Sequence, residues 1–453
     1  MRFAPRFLLR KAAACALFAI APTFADAQTA AAPGTHGFVV ANMDRSVKPG
    51  DDFYRYANGN WISRTEIPPD RSYIDPYGGD YDDSSNDLTR ERIAGLIEEA
   101  AGADATAGSN SRKIADLYHC FMDEATIEAR GLAPLRPHLD AIAAIRDKHE
   151  LARVLGESLR AGRLNIDNFE TANLFGLRIG PGFNDPEHYA AYLLQGGLEL
   201  PDREYYLSDT GSMRDLRFKY QTHVSAMLKL AGFTDTEVRA QHVVELEHAI
   251  AEKHVPMTER HNINKANNTW KQADFAANAP GLDWAEYFRG AGLSRQGSFI
   301  VWQPSAFGGE SALVASVALE TWKDWLVFHL IEDYAAVLPK ALADERFAFF
   351  DKTLSGATAQ RPRQVRGIAL VNDLLGDALG QEYAQRYFAP KTKAQIEAMV
   401  GNIIAAYRRR IDALSWMDPA TKAEAQTKLT TLYGRNRLSG DLARLLSVRS
   451  QGR

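Results

Sequence analysis

Zinc-dependent hydrolysis is often encoded as two histidines at i and i+4 of one helix face, with a glutamate beside the first. Both imidazoles then reach one ion while the carboxylate activates its water. The nearest approach in this sequence is His149-Glu150-Leu151-Ala152-Arg153, where arginine occupies the second ligand position. A guanidinium is permanently charged and has no lone pair to give a metal, so the segment reads as an exposed helix start. His242, His248 and His254 are spaced six apart. That spacing turns successive side chains well over half a helical turn, away from any common ion, and suits surface or boundary histidines.

Other chemistries fail on similar grounds. Asp80, Asp82, Ser84, Asn86 and Glu91 imitate the ligand spacing of a calcium loop, but the sixth place is Ser85, where the sharp turn needs glycine. An acidic, serine-capped helix start is the better reading. Gly309-Glu310-Ser311-Ala312-Leu313 lacks the second glycine of a nucleophile elbow. Cys120 follows His119, yet adjacent helical residues point apart, so no Cys-His couple is implied and a buried structural thiol is expected. Phosphate-cradling glycine loops do not occur. The sequence therefore offers no catalytic, cofactor-binding or metal-binding residue set.

The elements that would position such residues are mostly helical. Ile114, Leu117, Tyr118, Phe121 and Met122 form an apolar stripe behind a Ser109 cap, and Leu151, Val154, Leu155 and Leu159 form another. Thr234 and Glu237 are spaced as a capping box ahead of Val238, Val243, Leu246 and Ile250. Trp322, Trp325 and Leu326 continue the helical period. Ile396, Met399, Val400, Ile403, Ile404, Tyr407, Ile411 and Leu414 predict a long helix, and Asp418-Pro419 a capped restart. Two short apolar runs, Leu174 to Ile179 and Ala190 to Leu194, flank a set of turn formers and predict a β-hairpin. The expected class is mainly α with one small hairpin.

With 453 residues, 45% of them hydrophobic, the chain can bury a substantial core. A net charge of −4 argues against a nucleic-acid partner. Arg2, Arg6, Arg10 and Lys11 precede an apolar stretch, Ala12 to Ala21, and Ala25-Asp26-Ala27 has the form of a signal-peptidase site. Residues 1–27 are thus expected to be a Sec-type signal peptide cleaved after Ala27, with export to the periplasm or beyond. Cys15 lies within the apolar stretch with Lys11 close before it, which does not suit a lipidation box. Cys120 alone would remain, leaving no internal disulfide. No later segment reaches the ~18 to 20 apolar residues of a membrane helix. Residues 28–45 read as a flexible tether, with order expected from about Val47.

Several longer words carry a family resemblance. Val47-Lys48-Pro49-Gly50-Asp51-Asp52-Phe53-Tyr54-Arg55-Tyr56-Ala57-Asn58-Gly59-Asn60-Trp61, then Glu66-Ile67-Pro68, resembles the opening of neprilysin-type (neprilysin and endothelin-converting-enzyme-like) zinc metallopeptidases. Leu117 to Asp123, the loop Gly197-Leu198-Glu199-Leu200-Pro201-Asp202-Arg203-Glu204-Tyr205-Tyr206, Val371-Asn372, Gly380 to Tyr383 and Trp416 to Lys422 follow in the family's order. The likeness runs from about Val47 to Leu432. One departure is Ala266-Asn267, where relatives carry a Tyr-Asn pair.

The resemblance implies a helical lid lobe over an active site in a second, thermolysin-like zinc lobe, acting on smallish peptides. The family's zinc-binding H-E-x-x-H, third-ligand glutamate and Asn-Ala-Tyr strand have no counterpart here. Zinc is therefore a cofactor of full-length relatives and not expected in this chain, whose missing partner would be the catalytic lobe. The expected domains are a peptidase N-terminal domain over 46–433 and an unrelated tail over 434–453. Codons can be chosen for Gly434 to Arg449 that restore family-like sequence when one leading nucleotide is dropped, which suggests a frameshift after Tyr433. The functional expectation is a non-catalytic portion of an exported zinc metalloendopeptidase. The alternatives are a peptide-binding or regulatory helical module, and an intact metalloendopeptidase whose sequence is cut short by the frameshift.

Overall fold

Asp52 opens the first helix, α1 (Phe53–Arg64), by accepting a hydrogen bond from the amide of Arg55 at 2.9 Å. The computed structural model describes residues 40–74, 87–161 and 171–431, and α1 belongs to a unit of its own that ends at Glu66. Within that unit the segment before α1 is held to it. The Asp44 amide donates to Tyr56 O at 2.9 Å, and Asn60 Nδ2 donates to Met43 O at 2.6 Å. Gly59 permits this approach, since a Cβ there would lie 2.6 Å from that of Asp44. Val40 to Asp44, expected within the tether, are among the described residues. The expected signal peptide, the first part of the expected tether, the calcium-like positions Asp80 to Asn86 and the expected unrelated tail 434–453 lie outside the described residues.

The second unit starts at Ile67. Its helices are α2 (Asp87–Gly102), α3 (Asn110–Met122), α4 (Glu124–Arg130), α5 (Arg136–Ala143) and α6 (Lys148–Ser158). Strands β1 (Phe175–Pro181) and β2 (Tyr189–Gln195) follow, then α7 (Glu204–Leu207), α8 (Gly211–Leu230), α9 (Thr236–Lys253), α10 (Met257–Arg260), α11 (Ile263–Ala266) and β3 (Asn268–Lys271). The chain continues through α12 (Phe275–Asn278), α13 (Trp284–Gly290), β4 (Ser298–Val301), α14 (Pro304–Ser316), α15 (Leu319–Tyr334), α16 (Lys340–Arg346) and a π-helical stretch, Phe347–Leu354. It closes with α17 (Arg363–Tyr387), α18 (Pro390–Ala413) and α19 (Pro419–Thr431). The mainly helical expectation holds.

The β1–β2 hairpin forms as expected, with Phe175 opposite Gln195 and Pro181 opposite Tyr189. It is half of a four-stranded sheet ordered β1-β2-β4-β3, in which β2 runs parallel to β4 and β3 antiparallel to it. β3 and β4 have four residues each, too few for an alternating pattern to register. Strand β2 is central and covered on both faces, which explains its unbroken apolar run. One face, with Ala191 and Leu193, joins the main core around Phe175, Phe275, Phe288 and Phe307, while Tyr192 and Leu194 pack with Trp302 on the other.

The Ser109 and Asp418 caps are present. The expected capping box at Thr234 is not. Asp235 precedes α9 at φ 53° and makes no side-chain cap, because Gly232 (φ 85°) and the Phe233-to-Leu228 backbone bond turn the chain tightly out of α8 and start the next helix at Thr236. Val238 is exposed, lying five residues before Val243 and so off the stripe of Val243, Leu246 and Ile250. A separate core joins α2, α3 and α17 through Ile97, Ile114, Tyr118 and Val371. Helix α18 forms over the expected span but buries no residue, and Met399, Ile403 and Tyr407 stand exposed on it.

Candidate functional site

The residues singled out for chemistry are dispersed. His149 sits in the first turn of α6, with Nδ1 2.8 Å from Asp283 Oδ2 and Nε2 3.6 Å from Glu286. The hydrogen bond to Asp283 raises its pKa. Glu150 pairs with Arg146, which lowers its carboxyl to about 2, and Arg153 pairs with Glu157, so nothing converges on one point. His242 contacts Asp324 at 2.8 Å and His248 the backbone oxygen of Tyr206 at 3.1 Å. His254 corrects the surface expectation. It is buried with Nε2 2.9 Å from Gly196 O, and burial drives its pKa down to about 3, leaving a neutral ring that donates to that carbonyl.

Cys120 is likewise a correction, since its side chain is exposed while Ile114, Tyr118 and Phe121 fill the buried face of α3. Gly309 to Leu313 lies inside α14, where a helix interior cannot serve as a nucleophile elbow. Glu91 lies on α2.

The concentrated titratable chemistry lies elsewhere, inside the core between α8, α9 and α15. Glu247 on α9 is fully buried and accepts three side-chain hydrogen bonds. They come from Tyr206 at 2.9 Å, from Tyr220 at 2.8 Å and from His329 Nε2 at 2.7 Å. Tyr206 in turn accepts from the amide of Leu200 at 2.9 Å. Burial, reinforced by the Glu247 charge, pushes both phenols well above their ordinary range and keeps them donors.

The other face of His329 meets the loop ahead of α7, with Nδ1 3.4 Å from Glu199 Oε2. Burial raises the Glu199 carboxyl to about 7, with His329 opposing the shift and Glu332 and Glu247 adding to it. Near by, His223 on α8 lies between Glu332 (Nε2, 3.2 Å) and Glu345 (Nδ1, 3.1 Å), and Arg346 Nε comes within 3.1 Å of Glu332. Burial disfavours charge on both imidazoles, but their carboxylate partners outweigh it and raise both pKa values. Arg346 also lines a cavity of about 230 Å³ with Arg71, Arg361, Arg366, Asp70 and Asp351.

A catalytic zinc does not fit this cluster. Tetrahedral zinc with ~2 Å bonds would hold two ligand atoms ~3.3 Å apart, whereas His329 Nε2 and Glu247 are joined by a direct 2.7 Å hydrogen bond. Among the described residues no group of three or more His, Cys, Asp or Glu side chains is arranged to hold a metal. The arrangement can bind and exchange protons.

Sequence reading missed the cluster, although signals for it exist. Glu247 interrupts the apolar stripe of α9 between Leu246 and Ile250, and His329 and Glu332 continue the apolar face of α15 begun by Trp322 and Trp325. Charged residues at core positions point to buried partners.

The sequence matches the N-terminal family model of Peptidase family M13 over residues 49–435. The chain belongs to that family. Its fold is similar to the zinc metalloprotease ZMP1 of Mycobacterium tuberculosis, at 31% identity and TM-score 0.75, covering 86% of this chain and 57% of that one. Among curated family relatives, Endothelin-converting enzyme-like 1 of Mus musculus is 24% identical over 406 residues, 86% of this chain and 51% of that protein. Membrane metallo-endopeptidase-like 1 of Homo sapiens is 24% identical over 416 residues, 87% of this chain and 52% of that protein. The chain spans about half the length of the curated M13 relatives it matches. The neprilysin-like resemblance is thereby established. No helix among the described residues is long and apolar enough to cross a membrane.

Proposed function

We propose that this chain is the helical, non-catalytic portion of an exported neprilysin-like zinc metalloendopeptidase, and that it does not cleave peptides by its own residues. The observation that carries this reading is the coverage of ZMP1, in which 86% of the present chain accounts for 57% of a zinc metalloprotease. Scission of an amide by this chemistry requires a Lewis-acidic ion and the water it activates. The described residues provide hydrogen-bonded carboxylate and imidazole pairs and no fitting ligand set. The role left to the chain is to shape the space in which a smallish peptide would be enclosed. Export follows from the basic and apolar start of the sequence, with cleavage after Ala27.

The test is the purified chain from Gln28 onward, assayed for bound zinc and for hydrolysis of a mixture of short fluorogenic peptides, with and without chelator. Less than stoichiometric zinc and no chelator-sensitive hydrolysis are expected. Chelator-sensitive cleavage at a rate above the uncatalysed background would overturn the reading.

A further inference from the structure

A neutral imidazole carries one N–H and one lone pair, so it can donate to only one of two flanking carboxylates. His329 and His223 are each flanked by two. His329 Nε2 hydrogen-bonds Glu247 at 2.7 Å while its buried Nδ1, which makes no hydrogen bond, faces Glu199 at 3.4 Å, and His223 touches Glu332 at 3.2 Å and Glu345 at 3.1 Å. With neutral rings and ionised carboxylates, one contact of each ring would set a lone pair against an anionic oxygen. Each site is satisfied only when one more proton is present, on the ring or on a carboxyl. The geometry therefore demands two protons beyond the ordinary neutral-pH complement of these groups.

We propose that the two bracketed histidines form a proton-operated clasp, His329 fastening the Leu198–Tyr206 loop to α9 and α15 and His223 fastening α8 to α15 and α16, and that it loosens as pH rises above neutrality. This goes beyond the proposed enzymatic context and does not depend on it. The groups facing the clasp are Glu199 and Tyr206 from the loop and α7, Tyr220 and His223 from α8, and Glu247 from α9. His329, Glu332 and Asp333 come from α15, and Glu345 and Arg346 from α16. Protons reach the interior through the solvent-facing end, where Glu345 and Arg346 are 29% and 38% exposed.

The direction of the pH dependence follows from linkage. Both imidazoles have raised folded-state pKa values, so their contribution is full below the unfolded value and is lost as pH rises through the folded one. Glu199 is raised from 4.5 to about 7, so the folded state holds its proton longer than the unfolded chain and stability falls across that window. All three act in the same sense. His254 acts oppositely, but only below the unfolded histidine value of 6.5, where its low folded pKa costs stability as the unfolded state takes up protons.

The test is urea denaturation of the full chain from about pH 6.5 to 8.5, for the native sequence and for Glu199→Gln. Glutamine copies the protonated carboxyl and donates to His329 Nδ1 without needing a proton. The expected result is a midpoint that falls with pH in the native chain, with a slope roughly halved in the variant, because one of the two brackets no longer titrates. A native midpoint that is flat or rises over this range would overturn the proposal. So would a variant that is weaker by the same amount at every pH. Should Glu199→Gln not fold, hydrogen exchange of the native chain decides. After correction for the intrinsic rate, protection of the Leu200 amide, which donates to Tyr206, is expected to drop between the two pH limits. Constant protection would overturn the clasp.

Discussion

Arg260 Nη2 donates to Oδ2 of Asp202 at 2.7 Å, with the two side chains 0% and 4% exposed. The pair ties α10 to the Glu199-bearing loop, and the other oxygen of Asp202 accepts from the amide of Glu204 at 2.8 Å as α7 begins. Removing one member of a buried pair costs far more than the pair itself contributes, because a desolvated charge loses a partner. Asp202→Asn is expected to destabilise the chain by about 3 kcal/mol. The check is the urea midpoint at pH 7, and a loss under about 1 kcal/mol would show that the pair is not sealed from water.

Two glycines let α6 and α13 cross at backbone contact. A Cβ on Gly156 would lie 2.0 Å from Tyr287 O, and one on Gly290 would lie 2.1 Å from Arg153 O. Alanine ordinarily stabilises a helix by up to about 1 kcal/mol relative to glycine. Here the helices must separate, and Gly156→Ala is expected to cost about 2 kcal/mol net. Thermal unfolding of the single variants checks this, and a raised midpoint would contradict the close crossing.

Cys120 is exposed on α3. A native-state thiol there is expected to react with a maleimide reagent with no unfolding step. Peptide mapping after a short pulse should place the label on Cys120. Labelling that waits for denaturant would show that the thiol is covered in solution.

Helices were legible where the apolar period was strong and a cap preceded it. Ser109 and Asp418 both cap as read, because a side chain accepting an amide two or three residues ahead is a local event. The hairpin was legible for the same reason, its turn formers lying between two runs that pair with each other. Strands β3 and β4 were not. A four-residue strand is stabilised by the neighbours that hydrogen-bond it, and β4 pairs with a β2 more than a hundred residues away. The Thr234 box had the correct residues at the correct spacing and lost to the α8–α9 turn.

The site divided along the same line. That His149-Glu150 cannot be a zinc helix followed from Arg153 alone, since no fold gives a guanidinium a lone pair. His254 and Cys120 differ from expectation because residue type and spacing do not say what packs over each side of a helix. His254 at the end of α9 is covered by Gly196 from the sheet, while Cys120 lies on the side of α3 turned away from α2 and α17.

By itself the sequence determined the mainly helical class, the hairpin, the family and the want of a zinc-ligand word in the segments read. These depend on residue type and short spacing, which the chain carries wherever it goes. Only the tertiary structure decided that Glu199, His223, Glu247, His329 and Glu332 meet, because contacts between residues up to 130 positions apart depend on how separate helices pack. The protonation of that cluster is set by the burial such packing imposes, and a linear spacing does not encode burial.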